Sequence, residues 1–130
     1  MGNAAVVERL VELWAAGRME EADHYLHPEI EWNEPPETVG RNVVTGPDAA
    51  VAALANWTDQ FDSLRVETSE MREEGDRVLH AMQQYATVRG SSAEIAGDLY
   101  MVWWFRDGLP VRMEMYSTRD EAEAAFARYS

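Results

Sequence analysis

The chain has no cysteine among its 130 residues, so neither a disulfide framework nor a thiolate site can form, which fits a reducing compartment. Cations are scarce as well: 11 Lys and Arg stand against 24 Asp and Glu, a formal charge of −13 at pH 7. Gripping a phosphate backbone or an anionic lipid surface requires clustered cations, and none occur, which argues against nucleic acid and membrane surfaces as partners. No apolar run approaches the roughly 20 residues that span a bilayer. The opening "MGNAAVVERL" lacks a basic segment leading into an apolar run, so no signal peptide is expected and the expected location is cytoplasmic. A phosphate-binding glycine loop, a nucleophile elbow and a dinucleotide fingerprint are also missing, and no cofactor is expected.

Apolar residues, by contrast, are plentiful. They make up 46% of the chain and include five tryptophans, enough for one sizeable core, so residues 1–130 read as a single domain. Val6, Val7, Leu10, Leu13 and Trp14 recur at helical spacing after a possible cap at Asn3, and Gly17 ends that helix. "RMEEADHYLH" predicts a short second helix closed by Pro28. Ile30, Trp32 and Glu34 then share one face of a strand, followed by a loop from Pro35 to Thr45. A helix starts at Gly46-Pro47-Asp48 and runs to about Gln60. Beyond Ser63 the period becomes strand-like. Leu64–Met71, Arg77–Arg89, Glu94–Arg106 and Val111–Ser117 form a meander with turns at "EEGD", "RGSS" and "RDGLP", and a helix over Arg119–Arg128 closes the order.

Helices followed by a meander predict an α+β domain whose curved antiparallel sheet wraps around helices and encloses a pocket. In "VVERLVELWAAGRMEEADHYLHPEIEWNEP", "GPDAAVAALANWTDQF" and "FRDGLPVRMEMYSTRDEAEAAF" the chain resembles the nuclear transport factor 2-like superfamily, specifically its SnoaL-like and ketosteroid isomerase-like branch. The resemblance covers nearly the whole chain and implies a cone-shaped fold with an interior pocket. That superfamily holds both enzymes and binding modules, so the fold alone does not choose between them.

Strand parity selects the pocket lining. Matching the turn "RDG" to that of ketosteroid isomerases points Asp98, Tyr100, Val102 and Trp104 inward, with His80, Met82, Gln84 and Ala86 beside them and Met113 and Met115 on the last strand. A slip of one residue would exchange all these names. Trp32 and Glu34, with Leu10, Leu13, Trp14, Leu54 and Trp57 from helices, complete the expected wall. Such a lining suits a hydrophobic small molecule held by few polar contacts, although the same residues could simply pack a core. On this parity Leu99, Met101, Trp103 and Phe105 would face outward, and covering them predicts a homodimer through the convex sheet face.

The resemblance places Glu34 where ketosteroid isomerases carry the aspartate that shuttles a proton between carbons. Abstracting a proton next to a carbonyl needs a base within hydrogen-bond reach, and an apolar setting beside two prolines with no N–H to offer would make Glu34 a stronger one. Pairing with Arg41, or exposure to water, would make it a weaker one. The isomerases' two enolate-stabilising donors match Leu10 and Val102, which cannot donate, and losing one such donor costs on the order of 3 kcal/mol. Steroid isomerisation by that mechanism is therefore not expected. Asp98 and His80, if adjacent and inward, could form a proton-moving pair or merely a cross-strand contact. His24 and His27 precede Pro28 and have too few further ligands nearby to suggest a metal site. Two functions stand: cofactor-independent acid/base chemistry by Glu34, Asp98 and His80 (isomerisation, cyclisation, dehydration or epoxide opening), or a non-catalytic ligand-binding or dimerisation domain.

Overall fold

The computed structural model describes residues 2–34 and 43–128. Helix α1, Asn3–Ala15, buries the anticipated stripe of Val6, Val7, Leu10, Leu13 and Trp14. Its N-cap is Gly2 rather than Asn3, whose amide instead reaches the Gly75 carbonyl at 3.5 Å. The helix ends in a left-handed turn. Gly17, at φ +71°, donates to the Trp14 carbonyl, and Arg18 donates to Leu13 at 2.8 Å, so two of the last carbonyls are satisfied. The anticipated second helix is a 3-10 helix, Met19–Tyr25, which buries Met19 and Ala22.

Strand β1 is Glu31–Asn33, and β2, Val43–Thr45, lies inside the stretch expected to be loop. Helix α2 spans Pro47–Thr58, with proline in its first turn as expected. The long strands follow: β3 Phe61–Glu74, β4 Arg77–Val88, β5 Glu94–Arg106 and β6 Leu109–Tyr116. Helix α3, Arg119–Phe126, is capped by the Thr118 side chain, which accepts from the Glu121 amide. The six strands form one curved, unclosed sheet in the order β2-β1-β6-β5-β4-β3, parallel only between β1 and β6. Among the described residues no helix is long and apolar enough to cross a membrane.

The inner face packs on α1, the 3-10 helix and α2 through Trp32, Val78, Met82, Leu99, Met101, Trp103, Phe105, Met113 and Met115. Leu79, Ala81, Tyr100, Val102 and Trp104 form the outer face and are covered by Ala122, Ala125 and Phe126 of α3. Parity on β4 and β6 is thus as anticipated, and on β5 it is reversed. Asp98, Tyr100, Val102 and Trp104 face away from the helices, while Leu99, Met101, Trp103 and Phe105 face them.

The cause is a bulge. Arg106 opposes Leu109, but one strand position in from Phe105 and Pro110 the pairing becomes Trp104 with Arg112, leaving Val111 without a partner. An unbulged hairpin would have set Val102 opposite Met113; the bulge sets Trp103 there and Met101 opposite Met115. The apolar residues that were expected to require a dimer partner are therefore core residues, and the chain's own α3 supplies the outer covering.

Charged groups pin that covering in place. Glu114, 2% exposed, accepts from Arg112 at 2.6 Å and also from Arg128 and Tyr116. Burial alone would raise its pKa, but the hydrogen bonds from Tyr116 and Arg112 outweigh that and hold it below the ordinary value. The same two guanidinium groups lie over the Trp104 ring at 5.8 and 5.6 Å. Arg72 bridges Glu70 on β3 to Glu123 on α3, both at 2.7 Å.

Candidate functional site

The helices and the inner face leave an apolar pocket whose wall includes Leu10, Trp14, Trp32, Leu54, Met101 and Trp103. Each is delivered by an inward stripe: Leu10 and Trp14 one turn apart on α1, Trp32 at the centre of β1, and Met101 and Trp103 alternating on β5. Trp32 meets Trp103 edge to face at 5.9 Å. The free space is about 10 Å³, room for roughly one water molecule. A second, open cleft of about 200 Å³ lies between the C-terminal ends of α1 and α2 and the start of β3, bounded by Trp14, Gly17, Thr58, Phe61, Ser63 and Val66 among others. Trp14 is common to both.

Among the described residues, three buried nitrogens near this interior have no hydrogen-bond partner: Trp14 Nε1, Trp103 Nε1 and His80 Nδ1. His80 lies on β4 opposite Met101, fully buried, with Nε2 2.9 Å from Thr68 Oγ1. Burial pushes its pKa down to about 4, because the charged imidazolium would lose its hydration there.

Glu34 directly follows β1, two residues after Trp32, and is half-buried. Among the described residues it has neither a hydrogen-bonding nor an ionic partner. The alternative pairing with Arg41, and the two prolines, lie outside the described residues. Asp98 is exposed on the outer side, opposite Gln83, whose amide is 3.4 Å away. It therefore cannot pair with His80 across the sheet, and the expected His-carboxylate couple does not form. Tyr100 stacks under Arg119 at 5.3 Å on the outer face, and Val102 is buried beneath α3.

Of the remaining expected wall residues, Met82, Met113 and Met115 lie in the inner core. Gln84 accepts from Trp57 Nε1 at 3.1 Å, and Trp57, 39% exposed, stacks on Phe61 at the rim instead of lining the pocket. Met101 and Trp103 are the lining residues that sequence parity missed. Their pairing with Met115 and Met113 across the bulged hairpin, and with His80 and Val78 across the regular β4–β5 ladder, marks the correct face. Among the described residues no three His, Asp or Glu side chains gather to hold a metal.

Helices laid on the inner face of a curved six-stranded sheet around an apolar interior define the ketosteroid isomerase-like, or nuclear transport factor 2-like, fold. The chain belongs to the SnoaL-like domain family, whose model matches residues 7–113. It is similar to a nuclear transport factor 2-like protein of unknown function from Burkholderia pseudomallei K96243, with a TM-score of 0.80 and 18% identity over 98% of this chain and 100% of that one. A protein from Jannaschia sp. CCS1, described as a candidate SnoaL-like polyketide cyclase, has a TM-score of 0.78 and 17% identity over 98% and 93% of the two chains. An epoxide hydrolase of the LEH-like type from M. tuberculosis aligns at TM-score 0.68 and 14% identity over 95% and 88%. Among curated proteins, none matches the sequence.

Proposed function

We propose that the interior between α1, α2 and the inner sheet face binds a hydrophobic small molecule, and that Glu34 performs cofactor-independent acid/base chemistry on it. The observation that carries this reading is Glu34 itself, a half-buried carboxylate without a partner among the described residues, two positions beyond pocket-lining Trp32. A carboxylate so placed can accept a proton from a carbon or from an attacking water. The chain has neither lysine nor cysteine, so imine and thioester intermediates are closed to it, which favours direct proton transfer. The similar folds described as cyclase and epoxide hydrolase support isomerase, cyclase, dehydratase or epoxide-opening chemistry as the range.

A binding domain without catalysis is the second reading. In its favour, Leu10 and Val102 offer no hydrogen bond where an isomerase would have donors, and Val102 faces outward besides. Deuterium uptake next to the carbonyl of methyl naphthyl ketone, in deuterium oxide, and opening of styrene oxide separate the two. Glu34→Gln is expected to lower whichever rate is observed by at least about 100-fold with probe binding retained. Turnover unchanged by Glu34→Gln would remove Glu34 from the chemistry, and binding without either reaction would leave a binding domain.

A further inference from the structure

One stretch of strand edge is left open by the strands around it. β6 accompanies β5 only as far as the pair Tyr116 with Tyr100, after which the chain turns away into α3. The first part of β5, Glu94–Asp98, is paired in unbroken register with β4 on one side and, among the described residues, with no strand on the other. All five residues are exposed. In an antiparallel ladder alternate residues turn both N–H and C=O to the same side, so part of this backbone faces away from β4 with its hydrogen bonds to give.

The two outermost edges of the sheet are blunted. β2 is three residues long, and the ladder of β3 is broken twice, between Phe61 and Ser63 and between Thr68 and Glu70. The open part of β5 has neither a bulge nor a proline. Its two faces differ in chemistry. By parity with Tyr100, the side chains of Glu94, Ala96 and Asp98 lie on the outer side, and among the described residues no cation pairs with either carboxylate. Ile95 and Gly97 lie on the inner side with Leu99. Ile95 is 50% exposed, and a side-chain carbon added at Gly97 would meet no atom within 4 Å. Gln84, opposite Gly97, holds the Trp57 N–H, which sets that partly exposed indole near the open space.

We propose that this edge receives an extended segment of a partner protein, which adds a strand beside Glu94–Asp98, sets arginine or lysine opposite Glu94 and Asp98, and lays a large apolar side chain over Gly97. Backbone pairing supplies the attachment, and alternate side chains supply the selectivity. Charge chooses the partner. Two copies of this chain paired antiparallel about Ala96 would set Glu94 against Asp98 twice, and each copy carries −13, so a second copy is repelled where a basic segment is attracted. An apolar side chain leaning over an edge glycine fills the space that the missing Cβ leaves. The edge is separate from the apolar interior, so the proposal stands independently of the chemistry assigned to Glu34.

The test uses the peptide acetyl-Ser-Arg-Phe-Thr-Val-Arg-Ser-amide and a counterpart with both arginines replaced by glutamate. In nitrogen-proton correlation spectra of the full chain, the basic peptide is expected to shift the amide signals of residues 94–98 and slow their exchange with solvent. By fluorescence anisotropy it is expected to bind at least about tenfold more tightly than the acidic one, and the double variant Glu94→Lys, Asp98→Lys to reverse that order. Strand pairing has its own signature. Of two basic peptides N-methylated at alternate positions, one is expected to lose binding and the other to keep it, because only one set of N–H groups faces β5. Basic and acidic peptides of equal affinity, amides 94–98 indifferent to the basic peptide, or equal tolerance of both methylation patterns overturns the proposal. A chain that dimerises alone and is returned to monomer by Ile95→Lys overturns it too, and assigns the edge to a second copy.

Discussion

Protonating His80 should cost this fold stability over a defined range of pH. The ring is fully buried on β4, bonded through Nε2 to Thr68, and its pKa is pushed from the ordinary 6.5 down to about 4 by burial. Between those values the unfolded chain binds a proton that the folded chain refuses. Stability from this residue is therefore whole above about pH 6.5, declines as pH falls, and stops declining near pH 4, where the folded state is protonated too. The shift of roughly 2.5 pH units corresponds to about 3 kcal/mol, with a steepest slope of about 1.4 kcal/mol per pH unit. Carboxylates such as Glu70, Glu114 and Glu123, whose pKa values are lowered, lose their own contributions in acid, so the measurement must be a difference. Urea unfolding followed by tryptophan fluorescence, in wild type and in His80→Leu, provides it. Because Leu does not titrate, the stability difference between the two proteins should move by about 3 kcal/mol in favour of the variant between about pH 7 and pH 4. Curves that stay parallel within about 0.5 kcal/mol would refute the reasoning, as would a proton titration of His80 with its midpoint at the ordinary value.

Two further outcomes test the packing. Removing the buried carboxylate in Glu114→Ala takes away the hydrogen bonds from Tyr116 and Arg128 and one of the two carboxylate partners of Arg112, which keeps Glu31, and a loss of about 2 kcal/mol is expected in denaturant unfolding; a change below about 0.5 kcal/mol would mean that the cluster contributes little. Trp103→Ala should cost about 3 to 5 kcal/mol by opening a cavity beside Trp32, and free indole should recover part of the melting temperature. Were Trp103 instead on an exposed outer face, the cost would be small and indole without effect.

The helices and the meander were legible because their patterns are local. Val6 to Trp14 repeats at helical spacing, Pro47 and Asp48 mark a helix start, and the turn glycines separate the long strands. Strand β2 was missed because Val43-Val44-Thr45 does not alternate apolar with polar residues as the stretch around β1 does. The orientation of β5 was illegible for a different reason. In "LYMVWWF" both faces are apolar, so alternation cannot say which one meets the helices, and the choice depends on pairing. One bulged residue, Val111, then reversed the count made from the turn. Asp98, Tyr100 and Val102 left the candidate site on that account, and Met101 and Trp103 entered it. Ile30 and Trp32 were legible as inward residues because they alternate with polar neighbours, and both lie in the inner core.

The position of α3 in the chain has a consequence for how the protein is made. Each strand it covers precedes it, so a growing chain completes β4, β5 and β6 before any residue of α3 exists. Without α3, Leu79, Tyr100, Val102 and Trp104 would form an uncovered greasy strip on the sheet, and Glu114 would lack the cation that Arg128 brings. Synthesis that stalls after Tyr116 would release a species prone to self-association, whereas completion of the last helix hides the strip within its own molecule.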